Sequence, residues 1–343
     1  MTTPASRQLL AEKTRLQRAL GEWFDAHGRD LPWRRTHDPY EVLVSEVMLQ
    51  QTQVATVLKM GAYTRFLKAF PTVAKLARAD DDALLKAWEG LGYYRRARML
   101  RGTAQALVER HAGVFPSDLE ALLELPGIGR YTAGALRAFA FGLPAVLVDG
   151  NVARVLSRLS NDRRPIDDAE GIKRLWKLAA DLADDGHPRR HHAALMELGQ
   201  TYCRPGKPLC EACPVSAFCR ADRPQELPLK KQAARVTAVL EHALWQRDAR
   251  GRIRLQQESG SRRTGLWKLP LRTPEEVAAM PELLRQNYAI TRYRVTLVVH
   301  QAPRARTNTR LREGEAWIEP ARIARLAMAA PFRKALEALL ETT

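Results

Sequence analysis

The four cysteines of the chain are its most concentrated chemical feature. They are Cys203, Cys210, Cys213 and Cys219, spaced C-x6-C-x2-C-x5-C. A secreted protein held by disulfides spreads its cysteines along the chain, whereas this clustering predicts a metal site. Four thiolates suit either Zn²⁺ or an iron–sulfur cluster. Zinc ribbons usually pair two C-x2-C motifs, so the single C-x2-C with longer flanking loops favours a [4Fe–4S] cluster.

Two carboxyl groups stand in contrasting surroundings. Glu46 lies within the apolar stretch 42–49, where burial would raise its pKa and keep it protonated, as a general acid requires. Asp149 follows the apolar run 144–148 and opens a predicted helix, whose N-terminus favours the ionised form. One protonated and one ionised carboxyl are the combination used to hydrolyse glycosidic bonds. The alternatives are a salt-bridged surface glutamate and a plain helix cap.

The sequence LPGIG at 125–129 predicts a tight hairpin between two helices. Pro126 ends the first helix, and Gly127 and Gly129 permit positive φ and keep side chains away. The backbone amides of this turn then face outward at the start of the next helix, where they can bind an anion. Such a helix-hairpin-helix holds DNA phosphates without reading sequence. A simple turn between helices is the alternative.

Charge and length narrow the class of protein. The 343 residues suffice for about two domains. A net charge of +17, with both halves of the chain basic, favours a polyanionic partner; an arginine-rich proteome is the alternative. No stretch approaches the ~20 apolar residues of a membrane helix. The N-terminus has no apolar signal core, so we expect a cytoplasmic protein that contacts no membrane.

Periodicity predicts two domains joined by a linker. Residues 1–222 read as an all-α domain, 223–235 as a Pro-containing charged linker, and 236–343 as an α+β domain. The predicted strands are 236–246 and 290–301, and the predicted C-terminal helices are 273–286 and 331–340. The predicted N-terminal helices are 7–26, 40–59, 63–69, 72–79, 82–89, 94–111, 118–123, 130–141, 151–159, 169–184 and 189–202.

Long motifs in a fixed order carry a family resemblance. They are SEVMLQQTQV (45–54), GLGYYRRAR (90–98), LPGIGRYTAGA (125–135) and VDGNVARV (148–155), followed by the cysteines. The chain resembles the MutY-type adenine DNA glycosylases of the endonuclease III superfamily. The resemblance implies a monomeric, [4Fe–4S]-containing enzyme of bacterial base excision repair. Its expected substrate is adenine mispaired with 8-oxoguanine, or with guanine, in double-stranded DNA.

The resemblance also implies roles for single residues. Glu46 would protonate adenine N7, and Asp149 would stabilise the sugar cation with help from Tyr131 and Asn151. Strand-cleaving relatives have lysine at position 131; tyrosine forms no Schiff base, so the enzyme would be monofunctional. The expected adenine pocket is Arg29, Leu31, Trp33, Arg34, Val54 and Met196, of which the apolar members alternatively pack in the core. The expected contacts to 8-oxoguanine and DNA are Gln51, Thr52, Leu91, the wedge Tyr93, Pro126, Gly127, Gly129, Thr291 and Arg292.

The C-terminal domain resembles the Nudix-like recognition domain of that family. GLWKLP at 265–270 matches its G-L-W-x-x-P motif. The acidic Mg²⁺-binding helix of Nudix hydrolases is absent, which implies DNA reading and not pyrophosphate hydrolysis. Thr291 and Arg292 stand where the family has a Phe-Ser-His loop that inspects 8-oxoguanine.

A second departure from the family is Ala193, which replaces a frequent Gln or Glu facing adenine. The adjacent His191 and His192 are predicted to lie on a solvated helix face. Both departures bear on mispair selectivity more than on catalysis.

Two other functions remain open from the sequence. A related glycosylase that removes thymine or another base from mismatches shares the hairpin, the cysteines and Tyr131. A non-catalytic iron–sulfur DNA-binding module is the other alternative, although two carboxyls near phosphate would bring a pure binder no benefit.

Overall fold

Helices build the first two thirds of the chain. The computed structural model describes residues 3–231, 236–259, 264–290, 292–305 and 309–341, and within 3–231 it contains no strand. None of the helices in these ranges combines the length and apolar character needed to cross a bilayer. The helices are α1 (Pro4–Ala11), α2 (Lys13–His27), α3 (Pro39–Leu49), α4 (Val54–Lys59), α5 (Ala62–Ala69), α6 (Val73–Ala77), α7 (Asp81–Ala87), α8 (Arg95–His111), α9 (Leu119–Leu123), α10 (Arg130–Ala135), α11 (Gly150–Leu159), α12 (Ala169–Leu182) and α13 (Pro188–Thr201).

Two predicted helices are interrupted. The predicted helix 40–59 is divided into α3 and α4, because Gln51 adopts a left-handed backbone with φ of 56° between them. The predicted helix 7–26 is divided at Glu12. The predicted helix 130–141 continues beyond α10 as a π-helical turn, Leu136–Ala140. The other predicted helices before residue 203 agree with the structure to within two residues at each end.

Residues Met1–Glu46 and Ala106–Ala233 form one compact unit. One of its cores joins apolar faces of α1, α2, α11, α12 and α13. After α13 the chain forms a 3₁₀ turn at Ser216–Phe218 and another at Pro224–Glu226. This core holds the N-terminus of α11 rigidly against α13, and Asp149 caps that N-terminus.

Residues Val47–Gln105 and Ala234–Thr343 form the second compact unit. It therefore combines α4–α7 and the start of α8 with a C-terminal α+β region. One sheet has the order β4-β1-β6-β5, with β1 and β6 parallel, and the other has the antiparallel order β3-β2-β7. The elements are β1 (Thr237–Trp245), β2 (Ile253–Gln257), β3 (Trp267–Lys268), β4 (Leu271–Arg272), α14 (Pro274–Val277), β5 (Glu282–Ile290), β6 (Tyr293–Gln301), β7 (Glu315–Ile318), α15 (Pro320–Ile323) and α16 (Ala330–Glu341).

The predicted helix 273–286 is wrong. Its first turn exists as α14, which a capping box between Thr273 and Glu276 stabilises. Pro281 cannot continue a helix, and from Glu282 burial alternates with a period of two as β5. The predicted strand 290–301 is also two elements, since Ile290 ends β5 and pairs with Tyr293 at the start of β6. The antiparallel strands β5 and β6 thus begin to pair at Ile290 and Tyr293.

Candidate functional site

Two carboxyls with different environments lie at the centre of the first unit. Glu46 is 5% exposed, and burial raises its pKa to about 7, with a smaller contribution from the charge of Asp149. Asp149 caps α11: its Oδ1 accepts from the Val152 amide at 2.7 Å, and its Oδ2 accepts from Asn151 Nδ2 at 2.9 Å. One carboxyl is therefore poised to hold a proton near neutral pH, and the other accepts two hydrogen bonds.

Tyr131 and Asn151 link these carboxyls. Burial raises the pKa of Tyr131 well above its ordinary value, so its hydroxyl keeps its proton and hydrogen-bonds the Glu46 carboxyl. Asn151 orients Asp149 through the amide contact. The structure thus brings together the four residues that the sequence predicts as catalytic, and all of them belong to the first unit.

A chain of hydrogen bonds runs from this site towards the cysteines. Arg154 Nη2 donates to Asn151 Oδ1 at 2.8 Å, and Arg154 Nε donates to the carbonyl of Cys203 at 2.8 Å. Gly199 on α13 permits this packing, because a Cβ there would lie 2.7 Å from Asn151 Cβ. The orientation of Asp149 consequently depends on α13 and on the backbone of the first cysteine.

The loop expected to hold a base is tied to α13 by a buried carboxylate. Arg29 Nε donates to Glu197 Oε1 at 2.5 Å, and Arg34 Nη2 donates to Glu197 Oε2 at 2.8 Å. The Glu197 side chain is fully buried, and the two guanidiniums lower its pKa in spite of burial. Arg189 reinforces the loop by donating to the carbonyls of Arg34 and Thr36 at 2.7 Å. Both predicted pocket arginines are therefore held by Glu197.

Three of the four apolar residues predicted for the pocket pack in the core or against it. Leu31 and Trp33 are buried, and Met196 packs against one core of the first unit. Val54 is half-buried at the start of α4 and belongs to the second unit.

The four cysteines line one cavity of about 310 Å³. Arg158, itself 1% exposed, donates from Nη1 to Cys203 Sγ at 3.2 Å. In the described part of the chain, no three His, Cys, Asp or Glu side chains are grouped to hold a single metal ion. Four thiols lining one cavity are the donor set of an iron–sulfur cluster, so the residues present fit such a group.

The predicted hairpin precedes α10. Gly127 has φ of +83°, which favours glycine, whereas Gly129 is extended with φ of −98° and would admit a side chain. The expectation that both glycines need positive φ is therefore wrong for Gly129, because its carbonyl already starts the helix through the Ala133 amide. Pro126 lies on the exposed side of the turn.

A groove of about 810 Å³ runs across the second unit. Its walls are residues 90–96, 288–290 and 329–331, with Gln50, Gln51 and Met99. Leu91 is buried and Tyr93 is 45% exposed. Gln51 and Tyr93 both have positive φ, of 56° and 47°, which is unusual for residues other than glycine. Thr52 lies behind the groove, where its hydroxyl accepts from Arg96 Nη2 at 3.1 Å.

The residues at which the sequence departs from the family pattern lie in different surroundings. Thr291 lies outside the described residues, and Arg292 is exposed with its guanidinium 5.2 Å from the Tyr293 ring. Ala193 is buried. The solvated face predicted for His191 and His192 is wrong: they are 6% and 2% exposed, because α13 packs on both sides and His192 Nε2 lies 2.9 Å from the Ala145 carbonyl.

Comparisons with known proteins agree with these features. The family model of the HhH-GPD superfamily of base excision DNA repair proteins matches residues 44–180. The adenine DNA glycosylase of Buchnera aphidicola subsp. Baizongia pistaciae is 32% identical over 77% of this chain and 73% of its own length. The chain belongs to the adenine DNA glycosylase family.

Two other matches cover a shorter part of this chain. The human adenine DNA glycosylase is 45% identical, over 62% of this chain but only 40% of its own length. This chain thus spans about two fifths of that curated relative. A solved thermostable thymine-DNA glycosylase is 29% identical with a TM-score of 0.55, and the match covers 61% of this chain and 96% of that protein. The helical part of the family fold is therefore shared by proteins named for different bases.

Four arginine and glutamate contacts of this family member escaped the sequence-based prediction. Glu197 and Arg189 lie outside the quoted motifs, and Arg154 and Arg96 lie inside two of them without a signal of their positioning role. Several of their contacts join distant parts of the chain, such as Arg96 with Thr52, 44 residues away, and Glu197 with Arg29, 168 residues away, so no local spacing signals them.

Proposed function

We propose that this protein is a monofunctional DNA glycosylase that removes adenine mispaired with 8-oxoguanine or guanine in double-stranded DNA. The single observation that carries the proposal is the Glu46–Tyr131–Asp149 arrangement, in which a buried carboxyl with a pKa of about 7 lies beside a capped one. The family to which the chain belongs supports adenine as the base.

The mechanism follows from the two environments. Adenine leaves poorly as an anion, and Glu46 in its protonated form donates a proton to N7. Breaking the N-glycosidic bond leaves an oxocarbenium-like sugar cation, which the Asp149 carboxylate stabilises while Asn151 Nδ2 holds it in place. Tyr131 keeps its proton and offers no amine for a Schiff base. Water then adds to C1′ of the sugar cation and loses a proton, which restores the protonated form of Glu46. The product is an abasic site in an unbroken strand.

Recognition would use the remaining candidates. The flipped adenine meets the loop of Arg29, Leu31, Trp33 and Arg34, with Met196 of the same unit as a further wall. Gln51, Thr52, Leu91 and Tyr93 contact the partner base, and Tyr93 fills the gap that flipping leaves. The hairpin of Pro126, Gly127 and Gly129 holds a phosphate, and Thr291 and Arg292 read the oxidised base. The net charge of +17 supports binding to the DNA backbone.

The cysteine cavity would hold a [4Fe–4S] cluster. The ligands would be the four thiolates, and the contact from Arg158 to Cys203 Sγ supplies a compensating cation. When bound, the cluster would fix the segment between Cys203 and Cys210, which contains the basic residues Arg204 and Lys207. We also assign residues 1–222 to the glycosylase domain, 223–235 to a linker and 236–343 to a Nudix-like reading domain.

A duplex panel tests the function. Single-turnover base release is measured for adenine opposite 8-oxoguanine, adenine opposite guanine, thymine opposite guanine and an oxidised pyrimidine, with and without alkali. Alkali-dependent cleavage at adenine, fastest opposite 8-oxoguanine, is the expected result. Strand breaks without alkali would contradict monofunctional chemistry. If no base is released from any duplex, the protein is a non-catalytic DNA-binding module. An absorbance band near 400 nm of the purified protein reports the cluster.

A thymine-releasing enzyme is the second candidate. It is favoured by the structural match to a thymine-DNA glycosylase and by Tyr131, which does not select adenine. Cleavage only at thymine opposite guanine would establish it.

A further inference from the structure

Arg96 is a buried cation with an unusual set of partners. It is 7% exposed, and burial lowers its pKa to about 10, so the guanidinium stays charged at neutral pH. None of the ion pairs among the described residues includes it. Its Nη1 donates to the carbonyls of Val47 and Met48 at 2.9 Å and to that of Gln50. The carbonyls of Val47 and Met48 belong to the last turn of α3, where the helix itself supplies no donors, and Gln50 follows α3 directly.

The second nitrogen of Arg96 holds another segment. Nη2 donates to the carbonyls of Leu91 at 3.0 Å and Gly92 at 3.2 Å, and to the Thr52 hydroxyl. The guanidinium also lies 5.4 Å from the Trp88 ring and 5.5 Å from the Tyr93 ring. One side chain therefore joins 47–52 to 91–93, and both segments belong to the same compact unit.

Both segments contain a residue in a left-handed backbone conformation. Gln51 and Tyr93 line the same groove, and neither is a glycine. Such conformations persist only where the surroundings over-determine them, and they concentrate at functional sites. The flat guanidinium fork provides that constraint on both segments, because its donors lie in one plane and at fixed angles.

We propose that Arg96 is a positioning residue that locks the two groove segments, so that Gln51 and Tyr93 enter the DNA stack as one rigid element. This inference rests on the proposed function. An inserted side chain displaces a base only if the backbone behind it does not yield, since unstacking and unpairing resist insertion. Arg96 accordingly acts on base flipping and leaves bond cleavage to Glu46 and Asp149.

Arg96→Met and Arg96→Lys test the role, with Arg101→Met as the matched control. Arg101 lies on α8 too, and it bonds the Ala79 carbonyl and Asp81 outside the groove. Single-turnover release is compared for adenine opposite 8-oxoguanine and for adenine opposite an abasic analogue, where no pair must be broken. We expect both Arg96 variants to lose about tenfold or more on the paired substrate and to recover on the unpaired one. Arg101→Met should match the wild-type protein on both.

Amide hydrogen exchange of the free protein gives a readout that needs no activity. Arg96→Met should speed exchange in both 47–52 and 91–93, whereas Arg101→Met should not. Equal losses on the two substrates, or exchange unchanged in either segment, would overturn the proposal. If the wild-type protein releases adenine from neither substrate, the proposed function fails, and the exchange result alone decides the role of Arg96.

Discussion

The carboxyl site and the groove achieve their properties in different ways. Around Glu46 and Asp149 the backbone is regular, and the surroundings act on the carboxyl groups: burial raises the pKa of Glu46, and Asp149 accepts a hydrogen bond as the N-cap of α11. Gln51 and Tyr93 are themselves uncharged, and their unusual backbone is held by the buried cation Arg96. Activity should therefore depend on the charge of the carboxyl groups in the first region. In the second region it should depend on the shape that the backbone and side chains adopt.

The largest effect is expected when a carboxyl group of the site is replaced by an amide of nearly the same shape. Glu46→Gln or Asp149→Asn should each reduce single-turnover base release by about 10²- to 10⁴-fold, the usual contribution of a positioned acid or base, with mispair binding retained. Asp168→Asn is the matched control, because Asp168 caps α12 through the Gly171 amide at 2.7 Å as Asp149 caps α11. Normal turnover in Glu46→Gln would refute the assignment of the acid.

Glu197, the buried carboxylate on α13 that holds the pocket loop, tests how far a buried charge contributes to the free energy of unfolding. Glu197→Gln should lower the free energy of unfolding by about 2–4 kcal/mol, less than for a fully buried pair because Arg29 is partly exposed. Urea unfolding measures this. Asp30→Asn, which breaks the exposed Arg35 pair on the same loop, should leave the midpoint unchanged. A similar midpoint shift in both variants would show that burial of Glu197 is not the cause.

The pH dependence of base release should distinguish the carboxyl site from the groove. Since burial raises the pKa of Glu46 to about 7, the protonated acid is lost above that pH, and base release should fall about tenfold per pH unit there. DNA binding through the groove should not follow this limb. Single-turnover rates and binding are measured from pH 5.5 to 9 at constant salt. A rate that stays level up to pH 9 would exclude Glu46 as the proton donor.

The smallest effect is expected at the hairpin between β5 and β6. Arg292→Ala removes an exposed guanidinium near the Tyr293 ring and should change the ratio of rates opposite 8-oxoguanine and guanine by about two- to tenfold, the worth of one hydrogen bond. Arg292→Lys keeps the charge and is its control. An unchanged ratio in Arg292→Ala would remove this residue from recognition of the oxidised base.

Sequence-based prediction was strongest where a residue's neighbours in the chain are also its neighbours in space. The apolar residues that bury Glu46 surround it along α3, and Asp149 caps the helix that follows it directly, so both environments were readable from local pattern. The same local logic failed at 273–286, where a good helix start is followed by Pro281 and an alternating strand.

By itself the sequence determined the all-α character of residues 3–222, the order of the motifs and the two contrasting carboxyls, because helix periodicity and capping are local properties. Tertiary structure alone decided which buried ions hold these parts together. Glu197 meets Arg29 across 168 residues, and Arg96 meets Thr52 across 44. Such pairs have no periodic signature, since a guanidinium finds its carbonyls or carboxylate only after the elements have packed.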